Sequence, residues 1–170
     1  MPKGLFAATV LIAFAPTLLR AEDLPRKPVL TQAVAETMIA ACFTAQKAAA
    51  YPKVNVVVVD DGGRLIAAAR QDGACKACTD IAENKAITAS LYAAPTRAMA
   101  DLSFGAKRDG VNAGLPGAAF VPGLVAFAGG LPVKTAAGDL IGGIGVSGAS
   151  EDQDESCAQA GLDAISPNLD

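Results

Sequence analysis

The chain has 170 residues, with 14 basic and 17 acidic side chains, no tryptophan and no histidine. This length is enough for one domain with a single core. Without histidine the chain cannot form a Ser-His-Asp or Cys-His catalytic site, or the Cys-x-x-Cys-His sequence that anchors a c-type haem. The slightly acidic balance, without a run of basic residues, excludes the charge pattern of a nucleic-acid-binding domain.

The N-terminal segment has the pattern of a secretory signal peptide. Lys3 precedes a mostly apolar run over residues 5–15, and Ala21 stands directly before the acidic pair Glu22–Asp23. Pro16 interrupts the run, which is shorter than the roughly 20 apolar residues that cross a bilayer. A short basic start, a short apolar core and a small residue before a polar stretch predict cleavage after Ala21. An uncleaved anchor is the alternative.

We therefore predict a signal peptide over residues 1–21 and a single domain over residues 22–170. Lys3 and Arg20 leave with the signal, so the processed chain has 12 basic and 17 acidic residues and a net charge of −5. No later segment is long and apolar enough to span a membrane. The processed protein is expected to be periplasmic or secreted.

The first half of the domain is predicted to form a helix and a β-hairpin. A helix begins at Thr31, because apolar and small residues recur at intervals of three and four, and it ends at Tyr51–Pro52. A valine-rich strand over 54–59 and a second strand over 65–69 follow. The turn residues Asp61–Gly62–Gly63 join these strands as a hairpin.

The second half of the chain alternates apolar runs with glycine-rich breaks. The predicted elements are a helix over 80–92, a short helix and a long loop within 101–122, strands over 124–128, 133–135 and 140–146, and a helix over 150–165. Helices and strands in this order indicate an α+β fold. We predict an antiparallel sheet of about five strands with helices packed on its faces.

The four cysteines fall into two pairs. Cys75 and Cys78 lie three positions apart directly before a predicted helix, a spacing shared by disulfides, redox-active dithiols and half of a zinc site. Cys42 and Cys157 lie on the apolar stripes of the first and last helices. Because an oxidising compartment favours disulfides, we predict the bonds Cys75–Cys78 and Cys42–Cys157. A redox-active dithiol, a metal site or a persulfide remains an alternative for the first pair, and two inert buried thiols for the second.

Four blocks of the sequence resemble one known family. They are VVVVDDGGRLIAAARQDGA, DIAENKAITASLYAAPTR, VAFAGGLPV and GDLIGGIGVSGASEDQDESCAQAG, and they resemble, in this order, the GlcG/HbpS family of haem-binding and haem-degrading proteins. The domain also occurs at the C-terminal end of some corrinoid-metabolism proteins. The resemblance covers residues 30–165. It implies a compact fold with an antiparallel sheet, assembly into homo-oligomers, haem bound at subunit contacts in some members, and iron bound in others by exposed acids at a helix start.

Asp80 and Glu83 at the start of the second helix have two interpretations. By their spacing alone, Asp80 caps the helix and Glu83 reaches back towards the cap, where the helix dipole favours both charges. By the family resemblance, the two carboxylates bind iron. Ser150 and Gln153 have the spacing of a capping box at the start of the last helix, and we interpret them as structural.

Lys85 shares one helical stripe with Thr88 and Tyr92, at a position where a core helix would carry an apolar side chain. Either the lysine extends along this face with its ammonium in water, or it faces a pocket that receives the carboxylate of a haem or a small organic acid. Arg97 is a further candidate cation. Gly129–Gly130 allow close approach of the backbone to another strand or to a flat ligand.

Without histidine, haem iron requires another axial ligand: Tyr92, Met99, Lys53, Thr96 or water. Our first hypothesis is an exported haem-binding protein of the GlcG/HbpS type, with haem degradation as a further activity. Its expected ligand-binding residues are Lys85, Thr88, Tyr92, Thr96, Arg97, Gly129 and Gly130, with Asp80 and Glu83 as metal ligands. The alternatives are a binding or accessory protein for an organic acid or a corrinoid, and a non-catalytic oligomeric partner of a periplasmic enzyme. Whether the chain is an enzyme stays open.

Overall fold

The computed structural model describes residues 26–166 and residue 169. These residues form four α-helices and four β-strands: α1 Gln32–Ala48, β1 Asn55–Asp60, β2 Leu65–Arg70, α2 Cys78–Leu91, α3 Thr96–Phe104, β3 Gly130–Lys134, β4 Leu140–Ser147 and α4 Glu151–Ile165. The strands pair antiparallel in the order β2-β1-β4-β3. The expected signal peptide, residues 1–21, lies outside the described residues and stays a prediction.

The α+β fold is confirmed, with four strands in the described part of the chain where we predicted about five. The segment 124–128, predicted as a strand, is irregular, and β3 begins only at Gly130. One physical reason is that the backbone N–H of Val125 donates to the Thr88 hydroxyl at 3.0 Å. The segment is therefore tied to a side chain of α2 instead of a neighbouring strand.

The sheet separates two helical layers, which explains why β1 is a run of valines. Val56 and Val58 belong to the main core beneath α1 and α4, together with the buried side chains of both helices. Val57 and Val59 point the other way and pack in a second cluster with α2. Because successive side chains of a strand face opposite sides of the sheet, a central strand covered on both faces is apolar at every position.

Glycines of β4 allow α2 to lie unusually close to the sheet. A Cβ atom at Gly145 would lie 2.0 Å from the carbonyl oxygen of Ala82, and one at Gly143 would lie 2.4 Å from that of Ala86. Real Cβ atoms do not approach backbone oxygens this closely, so only glycine fits at either position. Because the two backbones meet in this way, the Lys85 side chain of α2 reaches the carbonyl oxygen of Val146 in β4.

Helix starts follow the sequence prediction at α4 and depart from it at α2. The capping box of Ser150 and Gln153 is present in full. α2 begins at Cys78, and Ala77, at its N-cap position, makes no side-chain capping hydrogen bond. Asp80 lies inside the helix, so the prediction that it caps α2 is wrong. The short helix predicted within 101–122 is α3, which begins earlier, at Thr96.

Among the described residues, none of the helices has both the length and the apolar character to cross a membrane.

Both predicted disulfides are present in the structure. Cys42–Cys157 joins α1 to α4 in the interior, and the two cysteines are 115 positions apart in the sequence. Cys75–Cys78 closes a loop of two residues directly before α2. The first bond therefore links the two helices that cover one face of the sheet, and the second acts only locally.

Candidate functional site

Lys85 lies in the interior of the molecule, with none of its surface exposed. Its ammonium Nζ donates to the carbonyl oxygen of Val146 at 2.8 Å and to Oδ2 of Asp154 at 2.9 Å. The ring of Phe127 lies below it, with its centroid 4.9 Å from Nζ, which is within cation–π distance. The ammonium is thus neither in water nor at an open pocket, and a carboxylate of the protein itself is its partner.

Both carboxylate oxygens of Asp154 accept hydrogen bonds from the protein. Oδ2 accepts from Lys85, and Oδ1 accepts from the backbone N–H of Ala149 at 3.0 Å. The side chain is 4% exposed. Burial lowers the pKa of the Lys85 ammonium below its usual value, and the charge and hydrogen bond of Asp154 act in the opposite direction. A buried charge of this kind requires its partner to remain stable in the interior.

Gly129, in the segment that leads into β3, packs directly against this buried pair. Its φ angle is +118°, and a Cβ atom here would lie 2.5 Å from Nζ of Lys85 and 2.9 Å from Cβ of Asp154. At the next residue, Gly130, an added Cβ atom would lie 2.5 Å from the carbonyl oxygen of Lys85. The close approach predicted for the two glycines is therefore to α2 and to the ion pair of the protein.

Two buried threonines hold the same segment in place. The hydroxyl of Thr96, at the start of α3, accepts from the N–H of Gly130 at 2.9 Å. The hydroxyl of Thr88 accepts from Val125 and lies 3.3 Å from the carbonyl oxygen of Gly123. Both hydroxyls form their hydrogen bonds with backbone groups of the protein. They position the segment before β3 and the apolar residues that precede it.

An open cleft of about 580 Å³ lies outside the buried pair, between α3, the loop after it and the start of α4. Arg97 donates to Glu155 at 3.0 Å and to Asp152 at 2.5 Å. Arg108 forms two parallel bonds, of 2.9 and 2.8 Å, with Glu151. The Arg108 guanidinium is the main cause that lowers the pKa of the Glu151 carboxyl to about 2. The cleft therefore carries charged groups of both signs that already pair with each other.

Four large exposed side chains lie on the end of α2 and on the segment between α3 and β3. Tyr92 is 48% exposed and its neighbour Leu91 58%, and Phe120 and Val121, on the loop between α3 and β3, are 84% and 45% exposed. The contact of Thr88 with the 123–125 backbone ties this loop to α2 one helical turn before Tyr92. We refer to Leu91, Tyr92, Phe120 and Val121 as the Tyr92 face.

Asp80 and Glu83 lie on the solvent side of α2, within its first two turns. Both side chains are exposed, and residues three apart on a helix are neighbours on its surface. Among the described residues, no group of three or more acids, cysteines or histidines has the arrangement of a metal site. Among the described residues the pair therefore offers two carboxylates without a third acid or cysteine in a metal-site arrangement.

Comparison with known proteins identifies the family. The family profile described as "Haem degrading protein HbpS-like" matches residues 30–163. The chain belongs to the HbpS-like family. It is 34% identical to protein GlcG of Escherichia coli K12 over 121 residues, which are 71% of this chain and 83% of GlcG.

Solved structures agree with the family assignment. A double mutant of Streptomyces reticuli HbpS superposes with a TM-score of 0.73 at 36% identity, over 90% of this chain and 98% of HbpS. A PduOC:haem complex superposes with a TM-score of 0.69 at 26% identity, over 81% of this chain and 96% of PduOC. These two structures thus share the fold over most of this chain, and one of them is a complex with haem.

In this HbpS-like chain the predicted ligand-binding residues separate into two groups. The buried group bonds to or packs against protein atoms, and it consists of Lys85, Thr88, Thr96, Gly129 and Gly130. The surface group consists of Tyr92 and Arg97. Lys85 and Gly129 meet at one ion pair, and the two threonines bond to the backbone of the segment before β3. The surface group is accessible from outside.

Sequence reasoning missed Asp154, Glu151 and Phe127. Asp154 lies in the first turn of α4, beside the capping box, where the helix dipole favours any acid. A signal was present, because Asp154 precedes Cys157 by three positions and Gly161 by seven, and these spacings put it on the buried stripe of the helix. An acid on one buried stripe and a lysine on another predict a buried pair. Nothing comparable marks Glu151 or Phe127, whose partners come from distant segments.

Proposed function

We propose that this chain binds haem at the Tyr92 face. Haem presents a flat apolar ring with carboxylates at one edge, so it needs exposed apolar and aromatic surface with polar groups nearby. The observation that carries the proposal is that four large exposed side chains lie on two segments, which the hydrogen bonds of Thr88 join. The family description and the haem complex of PduOC supply the ligand class.

Among the side chains that we considered as ligands of haem iron, Tyr92 fits best. Thr96 is buried, Met99 is 8% exposed, and the ammonium of Lys53 donates to the carbonyl of Asp72. A tyrosine phenolate is an established haem ligand in other proteins. We assign the axial position to Tyr92. We assign the carboxylate contact to Arg97, five residues further on, which would exchange Asp152 or Glu155 for the ligand.

A haem titration followed in the Soret region tests this proposal, and the chain offers a matched control. Its two tyrosines are Tyr51 and Tyr92. Tyr92→Phe should shift the Soret maximum of the complex and weaken affinity at least roughly tenfold, equivalent to 1.4 kcal/mol. Tyr51→Phe, at the end of α1, should behave like the parent. No Soret change in the parent would reject haem binding, whereas equal spectra for the parent and Tyr92→Phe would reject only the ligand assignment.

We also propose that Asp80 and Glu83 bind an iron cation. The support is their exposure, their spacing on one face of α2, and the absence of a capping bond that would occupy Asp80. Iron binding measured by calorimetry should be lost in Asp80→Asn/Glu83→Gln. It should be retained in Asp163→Asn, which removes an exposed carboxylate from α4. Unchanged binding in the double variant would overturn the assignment.

Export is the third part of the proposal, and it rests on the two disulfides, which persist in oxidising compartments. Intact-mass measurement of protein from the periplasm or medium should show loss of about 21 residues, the usual length of such a signal. Retention of Met1 would contradict this.

We also propose that the protein forms a homo-oligomer, on the basis of the family resemblance and the apolar surface of the loop after α3. Light scattering that shows only monomer at micromolar concentration would contradict it.

A further inference from the structure

The two disulfides lie in opposite environments. Cys42 and Cys157 are 0% and 1% exposed, within the core between α1 and α4. Cys75 is exposed and Cys78 is half-buried, at the surface end of α2. A thiol from solution can reach a disulfide only where a sulfur is accessible, because exchange proceeds by direct attack on that sulfur. The fold thus places one bridge out of reach and presents the other to solvent.

The backbone around the exposed bridge is held by a group that does not depend on the S–S bond. The side chain of Asn55, 1% exposed at the start of β1, donates to the carbonyl of Cys75 at 3.1 Å and to that of Ser147 at 3.1 Å. Its amide oxygen accepts from the Thr79 hydroxyl at 2.8 Å. Asn55 therefore fixes one residue of the bridge and the residue directly after the other. These hydrogen bonds do not involve either sulfur, so breaking the S–S bond does not remove them.

We propose that Cys75–Cys78 is a thiol–disulfide exchange site that accepts two electrons from a thiol reductant while the domain stays folded. The incoming thiolate attacks Sγ of Cys75, the more exposed cysteine. An S–S bond forms between the reductant and Cys75, the Cys75–Cys78 bond breaks, and its electron pair leaves on Cys78. A second thiolate of the reductant then attacks the reductant sulfur of the mixed disulfide. Cys75 is released as a thiolate, the reductant is oxidised to its disulfide, and water supplies the protons.

The surroundings favour this direction of attack. Cys78 is the first residue of α2, where the positive end of the helix stabilises a departing thiolate. Lys76, exposed between the two cysteines, adds a positive charge, and Asp80 on the same helix opposes both. The closed loop has only two intervening residues, so breaking the bond releases little chain entropy. Reduction therefore leaves the fold intact, and re-oxidation joins two thiols that Asn55 holds in place.

The experiment uses the full oxidised protein, with the buried bridge as its internal control. Protein is exposed under native conditions to reduced glutathione in one arm and to reduced thioredoxin in another. It is then quenched in acid, alkylated and mapped by mass spectrometry. Cys75 and Cys78 should become alkylated at least tenfold faster than Cys42 and Cys157. Near-UV circular dichroism should stay that of the oxidised protein, and the trapped glutathione adduct should map to Cys75.

The two arms identify the source of the thiol. Reduction by both reductants, or by either one, supports the site and assigns the class of reductant. Reduction of the two bridges at the same rate, or reduction of Cys75–Cys78 only when the near-UV signal is lost, would overturn the proposal. An adduct found only on Cys78 would overturn the assigned direction of attack. None of these readouts depends on haem binding, so the proposed function and this inference can fail separately.

Discussion

Lys85 on α2 and Asp154 on α4 form a buried ion pair of 2.9 Å between helices packed on opposite faces of the sheet. The lysine also bonds to Val146 at the end of β4, and the aspartate to Ala149 in the connection that follows. Gly129 closes the pair from the side of β3. One pair of charges thus fixes the relative positions of two helices and two strands, and it stands where the sequence suggested a ligand-binding lysine.

Breaking this pair on one side should be costly. Lys85→Met retains the aliphatic stem but leaves the Asp154 carboxylate buried without its partner. We expect the free energy of unfolding to fall by about 3–5 kcal/mol. The double variant Lys85→Met/Asp154→Asn should recover much of this loss, because it removes both charges. Urea unfolding of the two single variants and the double variant measures the coupling, and single variants within about 1 kcal/mol of the parent would contradict a buried pair.

Gly129 should tolerate no side chain. Gly129→Ala places a Cβ atom against Nζ of Lys85 in addition to straining a backbone with φ of +118°. Gly138→Ala is the matched control, because its φ is +91° and no atom lies within 4 Å of the added carbon. We expect the control to cost about 1–3 kcal/mol through backbone strain alone. Gly129→Ala should cost at least about 1–3 kcal/mol more through overpacking. Equal losses of stability would show that the space beside Lys85 is not filled.

The two disulfides should differ in their contribution to stability. Removing Cys42–Cys157 in Cys42→Ala/Cys157→Ala should lower the free energy of unfolding by about 2–5 kcal/mol, because this bond closes a long loop in the unfolded chain. Cys75→Ala/Cys78→Ala should have a smaller effect, since its loop is short. Chemical denaturation of the two double variants tests the order, and a larger loss for the local bridge would contradict it.

Stability in acid should depend on Glu151. Arg108 lowers the pKa of its carboxyl from 4.5 to about 2, so the unfolded chain binds the proton first. The stabilising contribution is complete above pH 4.5 and is lost as the pH falls towards about 2. Glu151→Gln should therefore make the fall of stability with pH shallower in this window. Asp163→Asn controls for the removal of one carboxylate, and thermal unfolding at several pH values measures both. Parallel curves for the parent and Glu151→Gln would argue against the Arg108 contact.

Local patterns predicted much of the fold. The hairpin was recognised from Asp61–Gly62–Gly63 between two apolar runs, and in the structure the Asp60 carboxylate accepts from the N–H groups of Gly62 and Arg64 in this turn. The capping box at Ser150 is likewise a local arrangement. The bond between Cys42 and Cys157 was predictable because each cysteine lies on an apolar stripe, and the two stripes had to face a common core.

The partners that come from distant segments were not predictable in the same way. The apolar run 124–128 has the composition of a strand, but the N–H of Val125 donates to the hydroxyl of Thr88. No local sequence pattern predicts that contact. The role of Lys85 depended on an acid 69 positions away. The sequence placed the start of α2 at Asp80, whereas the helix begins at Cys78. The Cys75–Cys78 loop leads directly into the helix, and its position depends on the hydrogen bond from Asn55 to Cys75.

Haem titration of variants in the Tyr92 face tests the central claim most directly. Phe120→Ser/Val121→Ser removes exposed apolar surface from the loop. Val29→Ser removes an apolar side chain before α1 that is 73% exposed. We expect the parent and Val29→Ser to bind haem with the same Soret change and affinity. The loop variant should bind at least roughly tenfold more weakly, equivalent to 1.4 kcal/mol. Equal affinity for all three proteins would place haem elsewhere, and no Soret change in the parent would contradict haem binding altogether.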